Sequence, residues 1–378
     1  MVGDRTLLGP ADVSDERLAA MVAGSLGVAE AELLTCHVEV AEYDIEALTT
    51  AGRYWVRGTA RHHDGASPYA FFVKVVQSWT RHPGFQQVPQ EQRELAAAGL
   101  PWRNEPAVYR ADLGRRLPDG LSVPRAHAVV DLDEWSAALW LEAVPADPRP
   151  WGADRFARAA YLLGRLAASP AVRPLAPLGS TDVVRGYAGG RVHGQILPAL
   201  RSDELWRHPV VSPAFGPELR ARILAAADAL PAIVDELQGV PLGTAHGDAC
   251  PRNLLVRPES PDDLVLLDFS FWGQAPVGFD LSQLMLGELQ LGERPASELP
   301  ALEQVCLDAY VRGLHEEGLD VPLGTVRRSH ALLMLLFNGL SAVPLEVLYG
   351  MPTPGGPHTV RQRAEAAEFV LDLVDATG

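Results

Sequence analysis

Lysine is almost absent from this sequence. Lysine and arginine together number 32 among 378 residues, and Lys74 is the only lysine. A general preference for arginine explains the scarcity elsewhere, but it does not explain why one lysine remains in the apolar segment 71–76. Lysine is normally among the commoner residues, and arginine does not replace a compact, rotatable ammonium group. Lys74 is therefore the first candidate for a functional residue.

Positive charge is also scarce over the whole chain. The 48 acidic residues outnumber the 32 basic ones and leave a net charge of −16. A nucleic-acid-binding protein would show a basic face, so we expect no nucleic-acid partner. The acidic balance is compatible with a cationic small molecule, although it also simply promotes solubility.

Cysteines and long apolar runs are few. Cys36, Cys250 and Cys306 are odd in number and far apart, which indicates neither a disulfide framework nor a zinc site. The first residues lack a cationic start followed by an apolar core, so we expect no signal peptide. The most apolar stretch, 331–348, is interrupted by polar residues and proline, which favours buried helices over a membrane span. We therefore expect a cytoplasmic protein with no membrane partner.

What is present describes an ordinary globular protein of two or three domains or lobes, with 47% hydrophobic and 21% charged residues. Prolines cluster at Pro145, Pro148 and Pro150, which is typical of a connector. We expect a first lobe at 1–144 and a second at 145–378. The predicted fold class is α+β, with a small β-rich lobe followed by a larger helical one.

Residue periodicity gives the predicted elements. Strands alternate apolar and polar residues, whereas helices repeat every 3.6 residues. The first lobe is predicted to contain helices at 12–34, 89–98 and 102–117, and strands at 37–43, 54–60, 69–76, 126–130 and 137–141. The second lobe is predicted to contain helices at 154–168, 216–238, 300–318, 324–348 and 360–376, around a β-rich segment at 244–270.

That β-rich segment carries the most informative motif. His246-Gly247-Asp248 is followed, after four residues, by Asn253, and Asp268 ends an apolar strand 15 residues later. Each of these polar residues alone is typical of a turn or of a strand end. As an ordered set, two carboxylates and an amide offer the oxygen ligands that Mg²⁺ prefers.

The motif resembles the catalytic loop of the aminoglycoside phosphotransferase and choline kinase-like family, which is related in fold to the protein kinases. Asp268-Phe269-Ser270 resembles the metal-binding triplet that reads Asp-Phe-Gly in protein kinases. Gly278-Phe279-Asp280-Leu281 resembles the next family motif. The resemblance spans roughly residues 37–285 and implies a two-lobed, protein kinase-like fold, with nucleotide bound by the first lobe and acceptor by the second.

The resemblance also implies a role for each matching residue. Asp248 would orient, and help to deprotonate, the attacking hydroxyl. Asn253 and Asp268 would hold Mg²⁺ against the phosphates of ATP or another purine nucleotide. His246 and Asp280 would support the loop structurally.

Lys74 would contact the α- and β-phosphates. Strand alternation places it on one face with Phe72 and Val76, and a buried ammonium must be paired. The resemblance implies an acidic partner on the next helix. We favour Glu105, which lies one helical turn from Tyr109, and keep Glu94 as the alternative because its spacing from Lys74 is closer to that of common kinases.

Other nucleotide contacts are less specific. The sequence has no Gly-x-Gly-x-x-Gly before Lys74, so the predicted turn at 48–52, with Thr49 and Thr50, would have to cover the phosphates. Glu142 and Val144 fall where the family hinge pairs its backbone with the purine, although they also read as an ordinary strand end.

The leading hypothesis is an ATP- and Mg²⁺-dependent kinase for a hydroxyl of an aminoglycoside-, sugar- or natural-product-like acceptor, acting as a monomer or homodimer. Gly247 replaces the arginine of most protein kinases, and only 11 residues separate Asp268 from Asp280. Both features favour a small acceptor over a protein. The net charge favours a cationic one, for which the candidate contacts are Glu288, Glu316, Glu317 and Asp320.

Two other classes of function remain open. One is a nucleotide-binding pseudokinase without turnover, although Lys74, Asp248, Asn253 and Asp268 are all present. The other is a metal-dependent hydrolase built on His246, Asp248 and Asp268, which the shortage of nearby histidines makes weaker.

Overall fold

A computed structural model describes residues 3–43, 47–351, 353 and 355–378. The chain forms two compact units, Met1–Arg115 with Ser122–Ala146, and Arg116–Leu121 with Asp147–Gly378. In the part of the chain that the structure describes, no helix has both the length and the apolar character needed to cross a membrane.

The first unit is built on a five-stranded antiparallel sheet of order β1-β2-β3-β6-β5. Its helices are α1 (Asp15–Leu26), α2 (Arg93–Ala98) and α3 (Asn104–Arg110). The strands are β1 (Glu32–Val40), β2 (Thr50–His62), β3 (Gly65–Gln77), β5 (Ala126–Asp133) and β6 (Ser136–Glu142). The short β4 (Leu121–Ser122) has one residue in each unit.

The two faces of this sheet have different surroundings. One face buries Phe71, Val73 and Trp140 in a core with apolar residues of α1. On the other face, Val76 and Leu139 pack with Trp102 and Tyr109. Since side chains alternate along a strand, Lys74 shares this second face with Val76, as expected.

Several boundaries in the first unit differ from the sequence prediction, among them those of the first strand, which was expected at 37–43 and spans Glu32–Val40. The first helix ends at Leu26 rather than 34, because Gly27 adopts a left-handed C-cap with φ +70°. The helix expected at 102–117 ends at Arg110, and Asp112 at φ +55° leads into a 3₁₀ turn. The turn expected at 48–52 is shorter and comprises residues 48 and 49, since β2 already begins at Thr50.

The second unit is mainly helical. Its larger helices are α4 (Ala153–Ala168), α8 (Pro217–Asp228), α9 (Leu230–Gln238), α10 (Phe279–Gln290), α11 (Leu299–Glu316), α12 (Leu323–Met334) and α13 (Gly356–Thr377). Shorter helices are α5 (Val183–Tyr187), α6 (Leu197–Leu200) and α7 (Asp203–Arg207), with π-helical segments at Ala188–Ile196 and Leu335–Gly339. The strands are β7 (Leu242–Ala245), β8 (Leu254–Arg257), β9 (Ser260–Leu266) and β10 (Gly273–Pro276).

Several predicted helices are shorter than their periodicity indicated. The helix expected at 216–238 breaks at Ala229, and a new helix begins at Leu230 with Pro231 in its first turn. The helix expected at 324–348 ends at Met334 and continues as a π-helical turn. The helical run from α5 to α7 was not predicted, since its glycines, Gly186, Gly189 and Gly190 among them, obscure the helical pattern.

Four short strands and one helix position the motif residues. Strands β7 and β10 pair with each other, and β8 forms a hairpin with β9. The His246–Asn253 segment connects β7 to β8, and Asp268 follows β9. Helix α10 then begins directly after the turn at Gly278.

Candidate active site

The loop that carries Asp248 turns sharply at Gly247. Gly247 has φ +91°, which L residues with a side chain rarely adopt. A Cβ placed here would lie 2.0 Å from the carbonyl oxygen of Phe271. Glycine is therefore required at this position for its backbone conformation and for the close approach of residue 271.

Asp280 holds the start of this loop. Its Oδ2 accepts a hydrogen bond from the backbone N–H of His246 at 2.9 Å, and its Oδ1 accepts from that of Gly247 at 2.9 Å. Asp280 is 2% exposed, and this burial raises its pKa while the two backbone donors oppose the shift. The structure thus brings Asp280 and the loop into direct contact.

His246 connects the loop to the segment that precedes Asp268. Its Nε2 donates to the carbonyl oxygen of Leu267 at 2.8 Å, and its Nδ1 accepts from the N–H of Asp248 at 3.2 Å. A carbonyl only accepts and a backbone N–H only donates, so the two partners select the neutral tautomer with the proton on Nε2. The ring also packs against Phe269, with centroids 5.3 Å apart.

Leu267 is held from its other side as well. Its backbone N–H donates to the carbonyl oxygen of Asn253 at 2.9 Å. The residue directly before Asp268 is therefore fixed by both His246 and Asn253. These bonds set where the Asp268 carboxylate stands relative to the loop.

The Asp248 carboxylate receives two side-chain hydrogen bonds. Asn253 Nδ2 donates to its Oδ2 at 2.9 Å and also to its backbone carbonyl oxygen at 2.9 Å. Gln283 Nε2 donates to its Oδ1 at 2.8 Å. Two amides thus fix the orientation of the carboxylate without placing a positive charge against it.

Gln283 was missed in the sequence. It lies three residues after Asp280 in α10, so the two side chains lie on one side of the helix. That spacing was a usable signal, because a residue one turn beyond a loop-bracing aspartate is well placed to reach the same loop.

Asp268 has a strained backbone. Its φ is +60°, one of two positive values among the described non-glycine residues. Ser270 Oγ donates to its Oδ1 at 2.7 Å. Aspartate tolerates the left-handed region better than most residues, and such strain tends to occur at functional positions.

The available donor atoms fit a magnesium ion. Since Asn253 uses its Nδ2 to bond Asp248, its amide oxygen Oδ1 is the atom that can bind a cation. Together with the Asp268 carboxylate this gives hard oxygen ligands with few protein groups, which suits Mg²⁺ when phosphate and water supply the rest. No cysteine or histidine belongs to this set.

Lys74 and Glu105 form a buried ion pair. Lys74 Nζ lies 2.6 Å from Glu105 Oε2. The residues are 5% and 1% exposed. Glu94, the alternative partner, is exposed on α2. The structure thus brings Glu105, not Glu94, to the lysine.

The remaining nucleotide candidates lie elsewhere in the first unit. The Thr49 carbonyl accepts from the N–H of Gln77, and Thr50 is the first residue of β2. The Glu142 N–H donates to the carbonyl oxygen of Arg125 at 2.9 Å. That donor is therefore engaged within the first unit, and the backbone contacts of Glu142 and Val144 with a purine both stay predictions.

The four acidic candidates for acceptor contacts do not form one group. Glu288 lies on α10 and bonds Arg294, whereas Glu317 pairs with Arg165 at 2.7 Å. Glu316 and Asp320 are exposed at and just beyond the end of α11. Of the four, Glu288 alone shares the helix that carries Asp280 and Gln283.

Comparison with solved structures gives several similar chains. An aminoglycoside phosphotransferase from Alicyclobacillus acidocaldarius subsp. acidocaldarius DSM 446 is 15% identical, with a TM-score of 0.50, over 89% of this chain and 91% of that one. Amicoumacin kinase hAmiN with AMP-PNP, Ca²⁺ and Ami is 12% identical, with a TM-score of 0.46, over 90% of this chain and 88% of that one. Spectinomycin phosphotransferase with ADP and spectinomycin is 11% identical, with a TM-score of 0.47, over 97% and 98%.

The first of these likenesses confirms the predicted two-lobed, protein kinase-like α+β fold. No curated protein matches the chain. A model of the phosphotransferase enzyme family matches residues 59–314, about two thirds of the sequence, and this range includes Lys74, the Asp248 loop and Asp280. The resemblance inferred from the motifs is therefore confirmed, and the chain belongs to the phosphotransferase enzyme family.

Proposed function

We propose that this protein is a small-molecule kinase that transfers the γ-phosphate of ATP, or of another purine nucleotide, to a hydroxyl group of its acceptor. The observation that carries the proposal is the Asp248 carboxylate, which Asn253 and Gln283 orient within a loop held by Asp280. We further propose that residues 1–144 bind the nucleotide and residues 145–378 bind the acceptor.

Asp248 acts on the acceptor hydroxyl. Its two oxygens each receive one amide N–H, and each retains a further lone-pair direction for an incoming O–H. A carboxylate held in this way accepts a hydrogen bond from the hydroxyl, aligns its oxygen and takes up the proton as the new O–P bond forms. Positioning of this kind is a large part of what phosphoryl transfer requires from a protein.

The remaining residues act on the phosphate donor. Asn253 Oδ1 and the Asp268 carboxylate are the proposed ligands of Mg²⁺, which when bound neutralises phosphate charge. Lys74, held by Glu105, is the proposed contact of the α- and β-phosphates. The proposed nucleotide contacts through backbone or hydroxyl groups are made by Thr49, Thr50, Glu142 and Val144.

The two alternative functions receive less support. A metal-dependent hydrolase would need His246 as a ligand, but both of its ring nitrogens are engaged by backbone groups. The only cluster of three potential His, Cys, Asp or Glu ligands among the described residues is His62, His63 and Asp64 in the β2–β3 turn. A pseudokinase would not need the amide contacts that orient Asp248.

The substitution Asp248→Asn tests the proposal. It keeps the shape of the side chain but removes the base, so we expect kcat to fall roughly 100- to 10,000-fold while nucleotide affinity changes little. The acceptor is first found by incubating hydroxyl-bearing metabolites and antibiotics with ATP and Mg²⁺ and detecting the mass gain of one phosphate. Turnover and nucleotide binding are then measured separately.

Asp263→Asn is the matched control, because Asp263 is an exposed aspartate of β9. It should leave kcat unchanged. An Asp248→Asn enzyme that kept substantial turnover would remove Asp248 from the catalytic role. Nucleotide binding without phosphorylation of any compound would favour the pseudokinase.

A further inference from the structure

Helix α10 has one stripe that is less buried than the rest. Gln283, Gly287, Glu288 and Gln290 are half-buried, whereas the other residues of this helix are buried. Three of them, Gln283, Gly287 and Gln290, follow at spacings of four and then three residues, which places these three on one side of the helix. Gln283 bonds Asp248, and a Cβ at Gly287 would lie 2.6 Å from that of Cys250. The stripe therefore begins at the proposed catalytic carboxylate and follows the loop that carries it.

The far end of the stripe opens on a cavity. Gln290 lies seven residues beyond Gln283, roughly 10 Å along the helix at 1.5 Å per residue. It lines a cavity of about 220 Å³ in the second unit, between the C-terminal half of α10, the segment after α12 and helix α13. Apolar walls are contributed by residues such as Leu289 and Val370. The cavity is thus a short distance from Asp248 along a single helix face.

Two buried donors in the cavity wall are unsatisfied. Asn338 is 7% exposed, and its Oδ1 accepts from Gln290 Nε2, but its Nδ2 has no hydrogen-bond partner among the described residues. Arg363 donates through Nη1 to Glu346 and through Nη2 to the Gln290 carbonyl, but its buried Nε also has no partner within the described part of the chain. Buried donors without partners are costly. Both would be satisfied by acceptor oxygens on a ligand.

The charge of the cavity is opposite to that of the whole chain. Its charged wall residues are Arg191, Arg363 and Glu346, so two positive charges face one negative charge and the net charge is +1. The chain as a whole carries −16. Since local charge governs a bound ligand more than distant charge does, the cavity disfavours a polycation.

We propose that this cavity binds the distal part of the acceptor, and that it selects a neutral or anionic, partly apolar molecule with hydroxyl, carbonyl or carboxylate oxygens over a polycationic one. The inference rests on the proposed kinase function, since it places the transferable hydroxyl at Asp248 and the distal group at Asn338. The distance along α10 implies an acceptor that spans roughly 10 Å. It also contradicts the expectation of a cationic acceptor that the net charge suggested.

The substitution Arg191→Glu tests the charge selection. Arg191 is exposed, so its replacement should not prevent folding, and it changes the cavity charge from +1 to −1. The matched control is Arg185→Glu, since Arg185 is an exposed arginine of the preceding helix that does not line the cavity. Both variants are compared with the wild-type protein by thermal unfolding.

Binding is measured by calorimetry with a panel of hydroxyl-bearing natural products sorted as neutral, anionic or polycationic at pH 7.5. The panel includes kanamycin and its fully N-acetylated form, which retains the hydroxyls without amine charge. We expect the wild-type protein to bind neutral or anionic members at least about tenfold more tightly than polycationic ones. Arg191→Glu should reduce that preference about fivefold or more, and Arg185→Glu should leave it unchanged.

A second variant tests the unsatisfied donor. Asn338→Asp removes the Nδ2 donor and should weaken binding of the neutral and anionic members while kcat on a bound acceptor is maintained.

Three binding results would each overturn the inference. They are a wild-type preference for polycations, the absence of binding by every panel member, and equal effects of Arg191→Glu and Arg185→Glu. Cavity variants that transfer phosphate with an unaltered KM for the acceptor would also overturn the inference, while leaving the kinase proposal intact. The expected binding pattern without phosphate transfer would instead refute the kinase proposal alone.

Discussion

At the scale of single residues, the loop that carries Asp248 depends on two unusual backbone positions. Gly247 has φ +91° and no room for a side chain, because the Phe271 carbonyl lies against it. Asp268 has φ +60° and is held by Ser270. Asp280 accepts hydrogen bonds from the backbone of His246 and Gly247. His246 and Asn253 bond the backbone of Leu267, and these contacts keep both positions in place.

The substitution Gly247→Ala should therefore disrupt the site. A left-handed backbone costs an alanine about 1–2 kcal/mol, and the contact with Phe271 adds to this. We expect a loss of more than about 2 kcal/mol in the free energy of unfolding and loss of most phosphotransfer. Denaturant unfolding and turnover assays check this.

Gly186→Ala is the control for Gly247→Ala. Gly186 lies in α5, and a Cβ there would meet no atom within 4 Å. That change should be neutral or stabilising by about 0.5–1 kcal/mol. If both substitutions had the same effect, the special geometry of Gly247 would not matter.

At the scale of secondary-structure elements, β3 and α3 are joined by a buried ion pair. Lys74 and Glu105 lie in the layer that also contains Val76, Leu139 and Tyr109. Removing one member of such a pair leaves an uncompensated buried charge, whereas replacing both by apolar or neutral groups is often tolerated. Stability and function at this pair can therefore be separated.

The single substitutions Lys74→Met and Glu105→Gln should each lower the free energy of unfolding by about 3 kcal/mol. The double variant should recover most of that stability, because no buried charge is left unpaired. It should nevertheless bind nucleotide poorly, because the ammonium is gone. Urea unfolding and nucleotide titration of the four proteins measure both effects. A double variant with normal nucleotide affinity would show that Lys74 has only a structural role.

The positions of the strands were predictable from the sequence, but the ends of the helices were not. The strands of the first unit were found because alternation is a local pattern, whereas their order in the sheet is set by pairing between distant segments. The ends of α1 and α3 were misplaced, because single residues such as Gly27 and Asp112 decide them through left-handed backbone conformations. A periodic run of apolar residues does not reveal these breaks.

At the scale of the whole molecule, stability should depend on pH through buried histidines. His330 on α12 is completely buried, and burial lowers its pKa to about 4, with Arg327 acting in the same direction. His127 is half-buried, and this partial burial together with the nearby Arg125 lowers its pKa to about 4. The ordinary pKa of a histidine side chain is 6.5.

Below pH 6.5 these histidines take up protons in the unfolded chain while they stay neutral in the folded protein. The stability that these neutral histidines contribute is therefore present above pH 6.5 and is lost as the pH falls towards 4. For His330 the expected loss between pH 6.5 and pH 5 is about 2 kcal/mol. His127 contributes in the same direction.

Urea unfolding of the wild-type protein and of His330→Gln, at pH 7.5 and pH 5, checks this prediction. The variant should be less sensitive to the change of pH, even if it is less stable at both values. His358→Gln, at an exposed position of α13, should behave like the wild-type protein. An unchanged pH dependence in His330→Gln would contradict the prediction.

The sequence by itself determined the chemistry of the candidate site. The His246–Asn253 spacing, the strand that ends before Asp268 and the single lysine are all local features, and local spacing specifies which donor atoms a loop can present. Only the tertiary structure decided which distant residues meet them. It selected Glu105 over Glu94, brought Gln283 to Asp248 and showed why residue 247 must be glycine, because each of these depends on contacts between segments far apart in the chain. It also placed a cavity of net positive charge within an acidic chain, since the sum of charges along a sequence does not determine how packing distributes them.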